Sequence, residues 1–187
     1  MTWYPPTVTV AAASEPVTLA EAKAQCRVDG SDEDSYLDSL IAAARSHVEG
    51  YCGTPIVTRT VTVKCDCFDD FAAFPVVPLI SVSSVSYVDA AGDTQTLATS
   101  VYEVRSDGLT ASLALKNGQI WPSIQTGSRI TVTAIVGHSA VPADLSHALK
   151  LLIAGWFDQR AGASDKPFTT VPHAVDALLA NHRVFGG

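Results

Sequence analysis

The spacing of apolar residues changes twice along the chain and divides it into three parts. From Pro16 to Pro55 apolar residues recur every three or four positions, which is typical of amphipathic helices. From Ile56 to about Val136 β-branched residues alternate with polar ones, which is typical of strands with one buried face. After Pro142 the helical spacing returns. The predicted order is therefore helices, then strands, then helices.

Two helices are predicted in the first part. Thr18 and Glu21 have the spacing of a capping box, so a short helix should run from about Leu19 to Cys26. Ser31 is predicted to cap a second, longer helix, with three carboxylates behind it at the positive end of the helix dipole. Gly53 should end that helix in a left-handed conformation. The predicted buried stripe of the second helix consists of Leu37, Leu40, Ile41, Ala44, Val48 and Tyr51.

The middle part predicts several short strands that form a small antiparallel sandwich or barrel. Lys116-Asn117-Gly118 is predicted to be a hairpin turn, because Asn-Gly accepts the positive φ of a type I′ turn. Residues 66–78 fit neither template, and their phenylalanines form either one helical turn or a loop held by aromatic side chains. The predicted strands are 56–63, 79–89, 94–97, 101–105, 109–115 and 129–136.

The third part predicts a helix after Pro142 with a wide apolar face, then a loop at 161–170 rich in Gly, Ser, Asp and Pro. Pro172 opens a short last helix with Val175, Leu178 and Leu179 on one side. Because the loop uncouples this segment and it is too short to be a stable helix alone, we expect it to be poorly ordered in the isolated protein. Its apolar side chains should then be buried on docking to a partner.

These patterns predict an α+β fold, in which N- and C-terminal helices form a helical bundle with an inserted antiparallel β-sandwich or barrel-like unit. Residues 1–15 are predicted to be an extended arm, whose Trp3 and Tyr4 either pack on their own domain or reach a neighbour. The remaining predicted parts are a helical core at 16–55 and 138–160, a β insertion at 56–137, and a loop and C-terminal anchor segment at 161–187.

Composition and charge narrow the class of partner. The 187 residues carry a net charge of −7 and contain no run of Lys or Arg, so tight binding of a phosphate backbone is disfavoured. Charged residues make up only 17% of the chain, which suggests that extra surface is buried in an assembly; a soluble monomer with a rather apolar surface is the alternative. No apolar run is long enough for a membrane span and no signal peptide is recognisable, so a cytoplasmic protein without membrane contact is expected.

The sequence predicts no catalytic residue, no cofactor and no metal site. Cys65-Asp66-Cys67 has one intervening residue where zinc loops have two or more, and the five histidines fall into no ligand spacing. Cys26 and Cys52 suit small buried positions, and the default for all four cysteines is the thiol. Asp32-Glu33-Asp34 lacks the alternation and central glycine of a calcium loop, so helix-dipole compensation explains it better.

Two stretches, one near each end, resemble a known family. The first is PVTLAEAKAQCRVDGSDEDSYLDSLIAAARSHVEGYCG, and the second is VPADLSHALKLLIAGWFDQRAGAS followed by VPHAVDALLANHRVF. Together they resemble the head-tail connector, or adaptor, proteins of long-tailed phages and gene transfer agents, in particular the larger members with a β insertion. The resemblance implies a structural protein and not an enzyme. It implies a ring of about twelve subunits beneath the portal that extends the DNA channel and joins the head to the stopper or tail.

The resemblance also implies partners and contact residues. The partners would be the portal protein, a stopper or tail-terminator protein, further copies of the chain, and double-stranded DNA that passes through an acidic lumen without specific binding. The protein would be found in the neck of a virion or gene transfer agent particle, after assembly in the bacterial cytoplasm. The implied portal contacts are Pro172, Val175, Leu178, Leu179, His182, Arg183, Val184 and Phe185. The ring contacts, implied by position only, are Arg45, Glu49, Lys150 and Arg160.

Two alternatives from other classes remain open on the sequence. One is a carbohydrate- or surface-binding β module, for which only Tyr87, Tyr102 and Trp121 are candidate aromatics. The other is a small hydrolase with an unrecognised site. Its nearest motif is Gly137-His138-Ser139, which lacks a recognisable acid partner and is better explained as a turn.

Overall fold

The computed structural model describes residues 2–159 and 173–184, and it divides the chain into two compact units. The helical unit consists of residues 14–57 and the described part of 140–187. The β unit consists of residues 2–13 and 58–139. The predicted mixed α and β class is confirmed, and so is the antiparallel pairing of the strands.

The helical unit contains α1 (Leu19–Cys26), α2 (Asp34–Cys52), α3 (Ala143–Asp158) and α4 (His173–Leu179), and a 3-10 turn (Ala180–His182) follows α4. The predicted capping box is confirmed at α1. The Glu21 amide donates to Thr18 Oγ1 at 3.2 Å, and the Thr18 amide donates to Glu21 Oε2 at 2.9 Å. Gly53 also ends α2 as predicted, with φ 69° and its amide 2.9 Å from the Glu49 carbonyl oxygen.

The prediction that Ser31 caps α2 is wrong. The helix begins at Asp34, and Glu33 occupies the cap position without a side-chain cap hydrogen bond. The Asp34 amide instead donates to the Ser31 carbonyl oxygen at 3.2 Å, which makes the preceding residues a turn. Asp34 also pairs with Lys23 of α1, with Nζ and Oδ1 2.6 Å apart. This pair connects the two helices at the point where α2 begins.

The core of the helical unit lies between α3 and the other helices, all of which it contacts. The predicted stripe of α2 is confirmed except at its end, where Cys52 is buried and Tyr51 is only half-buried. Ile56 is fully buried just beyond α2, and its amide donates to Glu49 Oε1 at 2.9 Å. The other buried apolar side chains of this core include Leu145, Ala148, Leu149, Leu152, Ile153, Val175 and Leu179.

The β unit has two antiparallel sheets. Its strands are β1 (Thr7–Val10), β2 (Arg59–Cys65), β3 (Leu79–Val88), β4 (Thr94–Thr96), β5 (Tyr102–Asp107), β6 (Thr110–Leu115) and β7 (Ile130–Val136). One sheet has the order β1-β2-β7-β3-β4, and the other is the β5-β6 hairpin. The last long strand, β7, is therefore central, and its residues pair with β2 on one side and β3 on the other.

Alternation along the central strands separates a buried face from a half-exposed one. Ile130, Val132, Ala134 and Val136 of β7 are buried, as are Val61, Val63 and Cys65 of β2. The residues between them on β7 are two threonines and an isoleucine, all half-exposed. This is the one-sided pattern that the period of two predicts. The first strand starts three residues later than predicted, since Ile56 and Val57 are buried in the helical unit.

The predicted hairpin at Lys116-Asn117-Gly118 is wrong, although the turn itself forms. Gly118 has φ 76°, and the Gln119 amide lies 3.0 Å from the Lys116 carbonyl oxygen. However, β6 has already ended, and the chain runs without a paired strand to β7 apart from one bridge at Ile124. The hairpin reversal lies at Gly108 instead, between β5 and β6.

The undecided segment after β2 contains a 3-10 helix at Phe68–Ala72. Phe68 and Phe71 are buried within it, and Phe74 is buried just after it. The segment is thus both a short helical turn and an aromatic cluster, which explains why neither regular period fitted it.

Candidate interaction surfaces

The C-terminal segment, residues 173–184, lies against the helical unit of its own chain. Val175 and Leu179 are four residues apart on α4 and are fully buried, and α4 contacts α3. The Val184 amide donates to the Cys52 carbonyl oxygen at 2.8 Å, at the end of α2. The expectation of a poorly ordered segment is therefore wrong for residues 173–184, because their apolar side chains are already buried within the chain.

Polar contacts hold the same segment in place. Tyr51 of α2 donates its hydroxyl hydrogen bond to Asp176 of α4, and this bond is the main cause of a raised pKa of Tyr51. The Arg183 guanidinium carbon lies 4.5 Å from the centre of the Tyr51 ring, in the position of a cation-π contact. Tyr51 is thus contacted from two parts of the C-terminal segment.

A second polar contact joins the segment to α3. His182 Nε2 lies 2.6 Å from Asp144 Oδ2, and the Leu145 amide donates to the other carboxylate oxygen at 2.9 Å. Burial raises the pKa of Asp144, but the hydrogen bonds from His182 and Leu145 outweigh burial and hold the pKa below its ordinary value. The ionised carboxylate at the start of α3 also suits the positive end of the helix dipole.

The structure thus divides the predicted portal contacts into three groups. Val175 and Leu179 are buried, while Leu178, His182, Arg183 and Val184 are half-buried. Pro172 and Phe185 lie outside the described residues, as does the loop at 161–170. The sequence placed Tyr51 at the end of an apolar stripe but did not predict that Tyr51 and Asp144 contact the C-terminal segment.

The predicted ring contacts do not form one cluster. Arg45 Nε lies 2.7 Å from Glu15 Oε2, and Arg45 Nη1 lies 3.4 Å from Glu49 Oε2. The hydrogen bonding that Arg45 donates to Glu15 is the main cause of a raised pKa of Arg45. Lys150 instead lies 4.0 Å from Glu21 of the capping box. Arg160 falls outside the described part of the chain.

In the β unit, the N-terminal arm packs on its own unit. Trp3 stacks on Phe71, with the ring centres 6.0 Å apart, and its indole donates to the Ala73 carbonyl oxygen at 2.8 Å. The Thr2 amide donates to Asp70 Oδ1 at 2.8 Å. Beyond these contacts the chain forms strand β1 against β2. Trp3 is therefore placed on its own unit, which is one of the two arrangements that the sequence left open.

The aromatic residues proposed for a carbohydrate-binding module are packed to different degrees in the β unit. Trp121 stacks on Phe68 with ring centres 4.9 Å apart, and Tyr87 contacts the edge of the same ring at 5.9 Å. Tyr102 is only 4% exposed, and burial raises its pKa. Tyr102 is thus buried, while Tyr87 and Trp121 are half-buried and packed against the same phenylalanine.

The hydrolase motif follows directly after β7, in a bend of the backbone. Gly137 has φ 101° and donates its amide to the Pro78 carbonyl oxygen at 2.9 Å, while the His138 carbonyl oxygen accepts from Thr58 Oγ1 at 2.8 Å. Burial, followed by the nearby Asp70 charge, raises the pKa of Cys65 to about 12, so its thiol is not a nucleophile at neutral pH.

Within residues 2–159 and 173–184, no group of three His, Cys, Asp or Glu side chains is arranged to hold a metal ion. No helix in these ranges is both long and apolar enough to cross a membrane.

The first two helices and the first long strands of this chain are similar to those of a known family. A family model described as "Phage gp6-like head-tail connector protein" matches residues 16–91, which include α1, α2 and the first long strands. Among curated proteins none matches the chain. The match agrees with the first of the two stretches on which the resemblance rests.

Three solved structures align with 98% of this chain and 99% of theirs. One is described as "Neck of empty GTA particle computed with C6 symmetry", with a TM-score of 0.78 at 24% identity. The second is "Virion of native gene transfer agent (GTA) particle", with a TM-score of 0.76 at 26% identity. The third is "Neck of native GTA particle computed with C12 symmetry", with a TM-score of 0.69 at 27% identity. The predicted resemblance to head-tail connectors is confirmed by the family model, and the similar solved structures come from gene transfer agent particles.

Proposed function

We propose that this protein is a structural head-tail connector of a phage-like particle and has no enzymatic activity. The observation that carries the proposal is the alignment of 98% of the chain with protein chains from a gene transfer agent neck and virion, at 27% and 26% identity. The connector family model supports the same role through residues 16–91. The alternatives of a sugar-binding module and a hydrolase are not favoured, because Trp121 is packed on another ring and the backbone of His138 is held by Thr58.

In this proposal the copies form a ring of about twelve subunits. Two of the similar structures are necks computed with C12 and C6 symmetry. A closed ring of identical chains needs head-to-tail contacts between two different surfaces of each chain. We assign Lys150 and Arg160 to direct contact with the neighbouring subunit of the ring. Arg45 and Glu49 form an ion pair within one chain, and we keep them as ring contacts by position only.

The partner above the ring is proposed to be the portal protein, and the partner below it a stopper or tail-terminator protein. Val175 and Leu179 hold the C-terminal segment on its own chain, so the side of the segment that remains accessible makes the portal contact. Leu178 is only half-buried, unlike the adjacent Leu179, and we assign it to that accessible side. Pro172 and Phe185, at the two ends of the segment, remain part of the proposed contact.

Charge supports passage of DNA without tight binding. Residues 14–57 and 140–187 carry twelve acidic and seven basic side chains, and the remaining residues carry seven and five. A channel wall formed by the more acidic unit would repel phosphates and let the duplex slide. We therefore propose that residues of the helical unit line the DNA channel.

For the architecture, we propose that α1 to α4 form one helical bundle and that the strands form a sandwich-like insertion between its two chain halves. The proposed parts remain an arm at 1–15, a helical core at 16–55 and 138–160, an insertion at 56–137 and an anchor segment at 161–187. The particle is either a phage or a gene transfer agent, and the subunits are made and assembled in the bacterial cytoplasm.

The test is to image the neck of particles from cells that express the protein with a small epitope tag. A ring of the tagged chain between head and tail is the expected result, and deletion of its gene should leave DNA-filled heads without tails. Finding only one or two copies per particle, or normal tailed particles after deletion, would contradict the proposal.

A further inference from the structure

Strand β1 is an edge strand with an unprotected outer side. It pairs with β2 through its inner side, and within the described residues no strand pairs with its outer side. All four of its residues are exposed, including Val8 at 51% and Val10 at 59%. Its outward N–H and C=O groups can therefore accept another strand.

The usual protections of a sheet edge are weak here. Edge strands commonly carry Lys, Glu or other charges that disfavour pairing between chains, but residues 1–14 contain no charged side chain. The opposite edge, β4, has only three residues, and all three are polar. Pro5 and Pro6 precede β1, and a register shift lies between Val8 and Val10. These features restrict an added strand to a short stretch around β1 and do not exclude it.

We propose that the outer edge of β1 binds a second copy of this chain, the next subunit in the ring, which covers Val8 and Val10. This inference rests on the proposed connector function, because a neck with C12 symmetry places each chain beside a copy of itself. Each copy carries a net charge of −7, so identical chains repel one another. The first 14 residues carry no acidic side chain, so two acidic copies repel each other less where these residues form the contact.

The contact is assigned to two different surfaces, since a closed ring requires head-to-tail contacts. One subunit supplies β1, and its neighbour supplies a segment outside β1. Backbone hydrogen bonds to the strand edge give the contact its register, and burial of the two valines gives it apolar area. Each subunit would then use β1 once, toward a single neighbour.

A site-specific photo-crosslinker at position 10 tests this in assembled particles. We expect the dominant product to be a dimer of this chain, with little dimer from a crosslinker at Val104 on the separate β5-β6 hairpin. A product with a different protein, no product from chains present at the neck, or equal dimer yields from both positions would overturn the inference. Absence of the chain from particles would instead overturn the proposed function, and the inference with it.

A pair of double variants gives a second measurement. Val8→Lys with Val10→Lys places two charges on the edge, and Val8→Thr with Val10→Thr keeps it neutral and β-branched. Because an unpaired charge is costly to bury, we expect the lysine variant to lower incorporation into particles by about tenfold or more. The threonine variant should stay close to the unmodified protein. Normal incorporation of a lysine variant with unchanged circular dichroism would overturn the inference.

Discussion

Tyr51 and Asp176 lie 125 positions apart in the sequence, yet their side chains are hydrogen-bonded and join α2 to α4. The bond joins the last described segment of the chain to the helical unit. Val175 and Leu179 lie on the same segment and are fully buried. Stability and partner binding can therefore be assigned to different residues of this segment.

Adjacent leucines of α4 should separate these two roles. Leu179→Ala removes a fully buried side chain, and we expect it to lower the free energy of unfolding by about 2 to 5 kcal/mol. Leu178→Ala, the matched control, changes a half-buried side chain and should lower it much less. Denaturant unfolding followed by circular dichroism measures both. Equal effects of the two variants would contradict burial of α4 against its own chain.

Under the proposed function, Leu178→Ala should still reduce tail attachment. The count of DNA-filled heads without tails measures this, in a strain that expresses only the variant. Normal tail attachment by a stably folded Leu178→Ala protein would remove Leu178 from the proposed portal contact, without affecting the stability argument for Leu179.

The contact between Asp144 and His182 should make stability depend on pH in the acidic range. The folded protein holds the pKa of Asp144 below its ordinary value of 3.8, so the stabilising contribution is present above that value. It is lost as the pH falls through the lowered pKa. The difference in unfolding free energy between the unmodified protein and Asp144→Asn should therefore be largest near neutral pH and shrink below pH 3.8.

Asp38→Asn is the matched control, because Asp38 is an exposed carboxylate on α2. The unfolding free energy of Asp38→Asn should differ little from that of the unmodified protein. A difference for Asp144→Asn that grows on acidification would contradict the assigned direction of the pKa.

Local signals explain which parts of the fold could be predicted from the sequence. Thr18, Glu21 and Gly53 act on backbone groups within a few residues, so the ends of α1 and α2 that depend on them were predicted correctly. Ser31 has the right chemistry for a cap, but Lys23 of another helix fixes the start of α2 through Asp34. A contact between helices is not visible in a local pattern.

Long-range packing explains the other differences. Asn117-Gly118 forms its turn, yet Trp121 stacks on Phe68, more than fifty positions earlier, and the chain forms no partner strand for β6 there. Long-range packing also places the C-terminal segment. Its short apolar helix is marginal by length alone, and the buried surface that orders it comes from α2 and α3.

Thiol reactivity should follow burial in the Cys65-Asp66-Cys67 stretch. Cys67 is exposed, whereas Cys65 is fully buried with a pKa raised to about 12. Iodoacetamide should therefore modify Cys67 in the folded protein and Cys65 only after denaturation, because the thiolate is the reactive form. Mass spectrometry of time points locates the modification, and Cys67→Ser should remove the early product. Rapid modification of Cys65 in the folded protein would contradict its burial.

The neighbouring residues Ile120 and Trp121 allow a last test, which separates packing from ligand binding in the β unit. Trp121 stacks on Phe68 and meets the edge of Phe71, whereas Ile120 is 83% exposed. Trp121→Ala should lower the free energy of unfolding by about 1 to 3 kcal/mol, less than a fully buried aromatic because the ring is only half-buried.

Ile120→Ala should leave stability nearly unchanged, since it removes a side chain that is mostly in water. Fluorescence-monitored unfolding measures Ile120→Ala directly, and circular dichroism serves for the tryptophan variant. A screen of the unmodified protein against immobilised glycans should give no binding that Trp121→Ala abolishes. If Trp121→Ala kept full stability but lost binding to a glycan, the ring would be a ligand platform and the sugar-binding alternative would replace the structural role of this cluster.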